Sequence, residues 1–302
     1  MKRAPLGGIR PLILGCLVAT WLIWGSTYLA IKLALPGFPP FFQMGSRFLV
    51  AGGALLGWVW LRGGKLPNLR EWRNAALIGA LMLVGGMGGV AYAEQSVASG
   101  LVVVFIAICP VLIALANLPF GIRPAATEAA GIAIALGGVV VLASGAGFNG
   151  SPAGLAAVAI ATVCWSVGSV LSVQRFGLAA GSSGFASEML CGGVLLLILS
   201  WLRGEGFHWP PPSLAAAAWA YLVVFGSLIA FTAYMTLLAH TRAALAASYT
   251  FVNPVIALLL GIGFGGETVT PREWLAAGIV VLGVILLIFG RRPDRARLQT
   301  PD

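Results

Sequence analysis

In this chain, chemistry belongs to the few ionisable and aromatic side chains that interrupt long apolar runs, because an uncompensated polar group there is costly and marks a working site by default. Glu94 and Gln95 close one such run. Glu94 could accept a proton or meet an ammonium group; its plainer role is an acid facing water beside a short loop. Arg47 lies inside a second run and Glu188 inside a third. Arg47 could attract a carboxylate, or could snorkel to lipid headgroups or cap the carbonyls of a neighbouring helix. Trp24, Tyr28, Tyr92, Trp165, Tyr234 and Tyr249 fall within runs rather than at their ends. Their rings can stack on an aromatic substrate, and a hydroxyl can read its polar end. The plainer role of such residues is packing against lipid or at the interface, which fits Trp58, Trp60, Trp201, Trp209, Trp219 and Trp274 near the run ends.

Pro110 and Pro254 interrupt two further runs. Each lacks an N–H, frees a carbonyl one turn earlier and bends its helix. A freed carbonyl in lipid must face protein or water, so both segments are expected to wall a cavity and to move. Ser248 and Asn253 flank the second kink and can hydrogen-bond a substrate or another helix. The candidate substrate-binding set is therefore Trp24, Tyr28, Tyr92, Glu94, Gln95, Trp165, Tyr234, Ser248, Tyr249 and Asn253, with Pro110 and Pro254 as gating kinks.

Other chemistries find few residues to use. His208 and His240 both fall in loops, and no HExxH motif or paired aspartates lie within a run. No metal, cofactor or catalytic constellation is expected. A channel would need a polar filter or a charged ring. Phosphorylated substrates would need several buried cations, and Arg47 stands alone. Gly261 to Gly266 spells GxGxxG but follows no strand, so a nucleotide site is excluded. With Gly53–Gly57 and Gly85–Gly89, it reads as close helix packing. Asn149-Gly150-Ser151 reads as a turn. Cys16, Cys109, Cys164 and Cys191 have no CxxC spacing and read as small buried hydrophobes.

The elements that position these residues follow from composition. Of 302 residues, 59% are hydrophobic and 9% charged, with mean hydropathy +0.97. So little charge cannot cover a soluble globule, which carries about 25%. Runs apolar on all sides for about twenty residues mean membrane-spanning helices rather than barrel strands. Turn residues divide the chain into ten spans, at 11–34, 40–61, 71–95, 99–119, 124–145, 152–175, 182–202, 213–238, 243–265 and 271–290. Ten spans put both termini on one side. That side holds Lys2, Arg3, Arg10, Arg62, Lys65, Arg70, Arg73, Arg123, Arg175, Arg242, Arg291, Arg292, Arg295 and Arg297. The other holds Lys32, Arg203 and Arg272. The positive-inside rule then puts both termini in the cytoplasm. The net charge of +9 is spent on this asymmetry, and nucleic acid is not an expected partner.

The chain also repeats itself. Trp60-Leu61-Arg62-Gly63 returns as Trp201-Leu202-Arg203-Gly204, Trp24 as Trp165, Pro110-Val111 as Pro254-Val255, and Ala129-Ala130-Gly131 as Ala276-Ala277-Gly278. Halves of five spans, over 1–146 and 147–302, would enter the membrane from opposite sides. Such inverted repeats produce inward-open and outward-open states. By the same logic Arg47 and Glu188, equivalent positions of the repeat, are expected in opposite halves of the membrane and not in contact.

Trp24-Gly25-Ser26-Thr27-Tyr28, Arg47-Phe48, Ala91-Tyr92-Ala93 through Ala98 to Pro110, and Gly131 with Gly137-Gly138 form an ordered set in the first half. Tyr234, Pro254, Gly266-Glu267, Gly278 and Gly283 continue it in the second. Over about 12–290 this order resembles the EamA group of the drug/metabolite transporter superfamily, and within it the YddG-type aromatic amino-acid exporters. The resemblance implies an all-α basket of ten helices around a central cavity, in a bacterial inner membrane, exporting aromatic amino acids and similar amphipathic compounds by alternating access. A lipophilic-cation or drug exporter, and a membrane subunit without transport activity, are the competing expectations. The expected partners are a small-molecule substrate and the lipid bilayer, and a monomer suffices because one chain supplies both halves.

Overall fold

The computed structural model describes residues 11–97, 102, 105–143, 150–207, 209–265 and 270–289. Lys2, Arg3, Arg10, Ala98, Gly147, Asn149, His208, Gly266, Glu267 and Arg291 to Arg297 lie outside them. Among the described residues all regular structure is helical; one isolated bridge joins Val97 to Gly150. Within the described residues six helices are long and apolar enough to cross a membrane: α1 (Pro11–Ala34), α2 (Pro40–Leu61), α3 (Leu69–Ala93), α6 (Pro152–Gln174), α7 (Ser182–Leu202) and α8 (Ser213–His240). Shorter apolar helices lie between and after them: α4 (Cys109–Asn117), α5 (Ala126–Ala143), α9 (Ala243–Ala246, then Tyr249–Gly265) and α10 (Pro271–Phe289).

Local chemistry sets several of these ends. Pro40 and Pro152 occupy first-turn positions, where their missing N–H costs nothing. Asn68 and Glu71 form a reciprocal capping box that starts α3. The Ser151 hydroxyl accepts from the Gly154 amide and starts α6.

Two expected kinks differ from the backbone observed. The fourth span was expected to run through Pro110; instead the chain turns at Ala107-Ile108 and the helix restarts at Cys109, so Pro110 sits in a first turn rather than inside a bend. In the ninth span the break falls at Ala247-Ser248, and Pro254 stays inside the helix that follows. Both prolines are buried in protein. Near the middle of α3 and α8, Ala80–Gly88 and Leu222–Phe231 are π-helical, a widened geometry common at functional sites.

The helices pack in matched pairs. α2 lies antiparallel on α7, and α5 on α10. α3 packs on α6 and α7, as α8 packs on α1 and α2; α4 packs on α6, as α9 packs on α1. The α2–α7 contact is close because both backbones meet through glycine. A Cβ on Gly45 would lie 3.0 Å from the Gly193 carbonyl, and one on Gly193 3.0 Å from that of Gly45. A Cβ on Gly52 would lie equally close to the Ala186 carbonyl, at 3.0 Å. Gly85 and Gly89 pack against Cys164 and Ala161 of α6, whereas Gly53 and Gly57 meet nothing within 4 Å, so the expected Gly53–Gly57 seam is not one.

This register revises one expectation. Gly45 faces Gly193 and Gly52 faces Ala186. Arg47 therefore stands opposite Cys191, and Glu188 opposite Val50, about 4.5 Å apart along the helix axes at 1.5 Å per residue. They lie at nearly one depth rather than in opposite halves of the membrane. No hydrogen bond links them, since the guanidinium nitrogens and the carboxylate oxygens all lack partners.

Candidate functional site

Four of the mid-span aromatic residues converge from four helices. Trp24 (α1) meets Trp165 (α6) edge to face at 5.5 Å, Tyr234 (α8) at 5.1 Å and Tyr249 (α9) at 4.6 Å between ring centroids. Trp165 lies 5.2 Å from Tyr234, which meets Tyr249 edge to face at 5.6 Å. These are favoured aromatic geometries. All four residues are buried, and Tyr234 completely so. Each tryptophan is seated on a π-helical stretch. Trp24 Nε1 donates to the Gly226 carbonyl at 3.2 Å, and the Trp165 ring covers Gly86, where a Cβ would come within 3.1 Å. The Tyr234 hydroxyl and Ser169 share a hydrogen bond of 2.8 Å.

Against this cluster lies a cavity of about 50 Å³, lined by Trp24, Trp165 and Tyr249 together with Tyr28, Thr27, Ile31, Met87, Val90, Ile106, Cys109 and Thr162. Cys109 and Tyr249 open the helical segments that follow the two chain breaks, so each broken helix starts at the cavity wall. The lining is apolar apart from a few hydroxyls, and Thr27 and Thr162 bond back to their own helices. Such a space is large enough for a water molecule, which needs about 10–15 Å³. It does not hold a metabolite, whose pockets run to roughly 300 Å³ or more. The four rings fill the centre in this state.

The remaining candidates separate into two groups. Asn253 stands by the cavity, donating from Nδ2 to the Tyr28 hydroxyl at 3.3 Å. Ser248 is fully buried at the break in α9 and accepts from Trp21 Nε1 at 3.0 Å, which ties α9 to α1. Glu94 is buried at the end of α3, and neither carboxylate oxygen has a partner. Tyr92 turns elsewhere: it stacks on Phe41 at 5.9 Å and lies under the Arg203 guanidinium. Gln95 is exposed and bonds only within its own turn, to the Tyr92 carbonyl. Trp219 is not a free interface anchor, because it stacks on Phe38 and donates to Ser46 at 3.0 Å. Trp58, Trp60, Trp201, Trp209 and Trp274 are exposed.

Sequence reasoning overlooked Thr27, Met87, Val90 and Cys109. The i, i+3 spacing of Met87 and Val90 marks a face of α3, but the second half of that helix is apolar all round and no face stands out. The sequence allows Arg47 several roles, and the structure narrows them. It is 0% exposed and bonds no carbonyl, so it neither snorkels nor caps.

A membrane-embedded helical bundle with a small central chamber between matched helix pairs is the architecture of a carrier. The EamA-like transporter family matches this chain twice, over residues 11–144 and 152–289, and the chain belongs to that family. The inner membrane transporter YedA of Escherichia coli K12, itself uncharacterized, is 44% identical over 280 residues, covering 92% of this chain and 91% of YedA. A Streptantibioticus cattleyicolor protein named "Probable terminal-alkyne amino-acid exporter" is 28% identical over 282 residues, covering 92% and 95% of the two chains. A crystal structure 24% identical in sequence superposes with a TM-score of 0.77, covering 92% of this chain and 98% of the other, which shows a shared fold. The chain is thus a multi-pass inner-membrane transporter.

Proposed function

We propose that this transporter exports small amphipathic metabolites bearing an aromatic ring, aromatic amino acids first, by alternating access. The observation that carries the reading is the convergence of Trp24, Trp165, Tyr234 and Tyr249 in one cluster, of which Trp24, Trp165 and Tyr249 line the chamber. A substrate ring that enters replaces contacts the four rings now make with one another, so an aromatic guest loses least in the exchange. The relative named as a probable terminal-alkyne amino-acid exporter supports amino acids as the substrate class, and the aromatic preference rests on the cluster.

In this reading the shorter helices α4, α5, α9 and α10 also cross the membrane, giving ten spans with both termini cytoplasmic. Residues 1–146 and 147–302 are then inverted copies. Two observations support inversion: the matched pairing of helices, and the antiparallel course of α2 against α7 and α5 against α10. The halves rock about the broken helices α4 and α9, whose prolines are buried as moving parts between halves require. One chain supplies both halves, so a monomer suffices.

Proteoliposome uptake of radiolabelled phenylalanine, tryptophan and threonine tests the proposal, at equal and unequal pH across the bilayer. Saturable uptake of the two aromatic amino acids, with threonine a poor substrate, is the expected result. Uptake of none by folded protein sinks it. A second reading, lipophilic-cation export, draws on the unpartnered Glu94 carboxylate beside the chamber, and competition by a hydrophobic quaternary ammonium ion would favour it.

A further inference from the structure

The aromatic chamber leaves several buried polar groups without work. None of the three guanidinium nitrogens of Arg47 has a hydrogen-bond partner, nor does either oxygen of Glu94. The same holds for Gln43 Oε1, one turn before Arg47, and for the Ser227 hydroxyl, next to Gly226. Arg47 is 0% exposed and Glu94 7%. Burying a charge without a partner is costly, and inside a membrane such charges mark ligand or ion paths.

Their placement is specific. Arg47 and Glu94 are both buried, yet form no ion pair or hydrogen bond with one another. Glu94 follows Val90, which lines the chamber, by one helical turn, its amide bonding the Val90 carbonyl. On the Arg47 side, a Cβ on Gly226 would lie 4.0 Å from Nη1 of Arg47 and 3.4 Å from Cγ2 of Thr27, which lines the chamber as well. A cation and an anion therefore stand apart beside the chamber, Arg47 near Thr27 of α1 and Glu94 one turn past Val90 of α3. Lys32, the cation that acts most on Glu94, is itself exposed and keeps its ammonium in water. Glu188 acts on Tyr234 and Cys191 instead, and takes no part here.

We infer that Arg47 and Glu94 form a headgroup site for a zwitterionic α-amino acid, with Arg47 taking the carboxylate and Glu94 the ammonium. The planar guanidinium fork matches a carboxylate with two parallel N–H donors. With the headgroup there, the substrate ring points toward Trp24 and Trp165. The inference rests on the reading of the chamber as the substrate path.

The test is competition against radiolabelled phenylalanine in proteoliposomes of the unaltered chain. Phenethylamine lacks the carboxylate, 3-phenylpropionate lacks the ammonium, and alanine lacks the ring. A site built to bond a group rejects the analogue lacking it. Both deletions are therefore expected to weaken competition by about tenfold or more. Phenethylamine or phenylpropionate competing as well as phenylalanine overturns the headgroup site and leaves the aromatic chamber standing. Alanine competing as well as phenylalanine removes the aromatic reading and leaves the headgroup site. No phenylalanine uptake by folded protein removes both.

Variants add a crossed pattern. Arg47→Gln should lose discrimination between phenylalanine and phenethylamine, while Glu94→Gln should lose it between phenylalanine and phenylpropionate. A uniform loss in both variants overturns the assignment of roles. If neither variant folds, the competition series on the unaltered chain decides alone.

Discussion

Replacing Trp24 by alanine probes the centre of the chamber. Trp24 is 4% exposed, and its ring meets those of Trp165, Tyr234 and Tyr249. Truncating a buried tryptophan costs about 3–5 kcal/mol. The bond from its indole N–H to Gly226 supplies about 0.5–1.5 kcal/mol of that. Lost burial, the cavity left behind and ring pairing at about 0.5–1.5 kcal/mol for each neighbour supply the rest. Packing therefore outweighs the hydrogen bond, and Trp24→Phe should cost much less than Trp24→Ala. The hole left by alanine is apolar, so it should stay dry and accept an apolar ring. Indole at about a hundred times its dissociation constant should restore about 2.7 kcal/mol. The assay is equilibrium unfolding in detergent micelles, with and without indole, on all three proteins. A loss below about 1 kcal/mol in Trp24→Ala, against the expected 3–5, would refute the reasoning. So would indole stabilising the unaltered chain as much as the variant.

Four further outcomes are expected. Gly283→Leu should abolish monodisperse protein on size-exclusion chromatography, because a Cβ there would lie 2.5 Å from the Ala135 amide nitrogen; Gly137→Leu, with nothing within 4 Å, should elute normally. Glu188→Met removes a fully buried carboxylate that has no partner and should raise unfolding stability by about 1–4 kcal/mol; destabilisation would mean that the acid is paired. Gln95→Ala should leave uptake unchanged, since the side chain is exposed and bonds only its own turn, whereas Tyr249→Ala should depress it at least tenfold. Arg242→Ala breaks the 3.6 Å pair with Glu128 and the bond to the Leu287 carbonyl, and should cost about 1–3 kcal/mol of stability at unfolding equilibrium.

The helices could be read from the chain because apolar runs of spanning length leave lipid as their only solvent, and most observed ends fall within two residues of the Pro and Gly punctuation, as at Pro40 and Pro152. Much of the aromatic cluster was legible for a related reason: few aromatic residues lie far from a helix end, and a chamber must draw on them. What stayed hidden was direction around each helix. Tyr92 and Tyr234 occupy similar places in spans three and eight, yet one stacks on Phe41 and the other is buried in the cluster. Helices apolar on every side carry no periodic mark to tell such faces apart, which is also why the seam at Gly45 and Gly52 was missed in favour of Gly53 and Gly57. The breaks at Ala107-Ile108 and Ala247-Ser248 fell upstream of the prolines because proline only biases the preceding backbone, and tertiary contacts choose the point of rupture.

The π-helical stretches in α3 and α8 have a consequence for motion. A π turn holds about one residue more than an α turn. Returning such a stretch to α geometry, without adding or removing any atom, twists everything beyond it by roughly one residue's share of a turn, about 100°. Trp24 leans on one of these stretches and Trp165 on the other. The two indoles therefore rest on coiled springs in the backbone, and a screw-like relaxation of either one would swing its neighbours aside while the helix stayed hydrogen-bonded in the membrane.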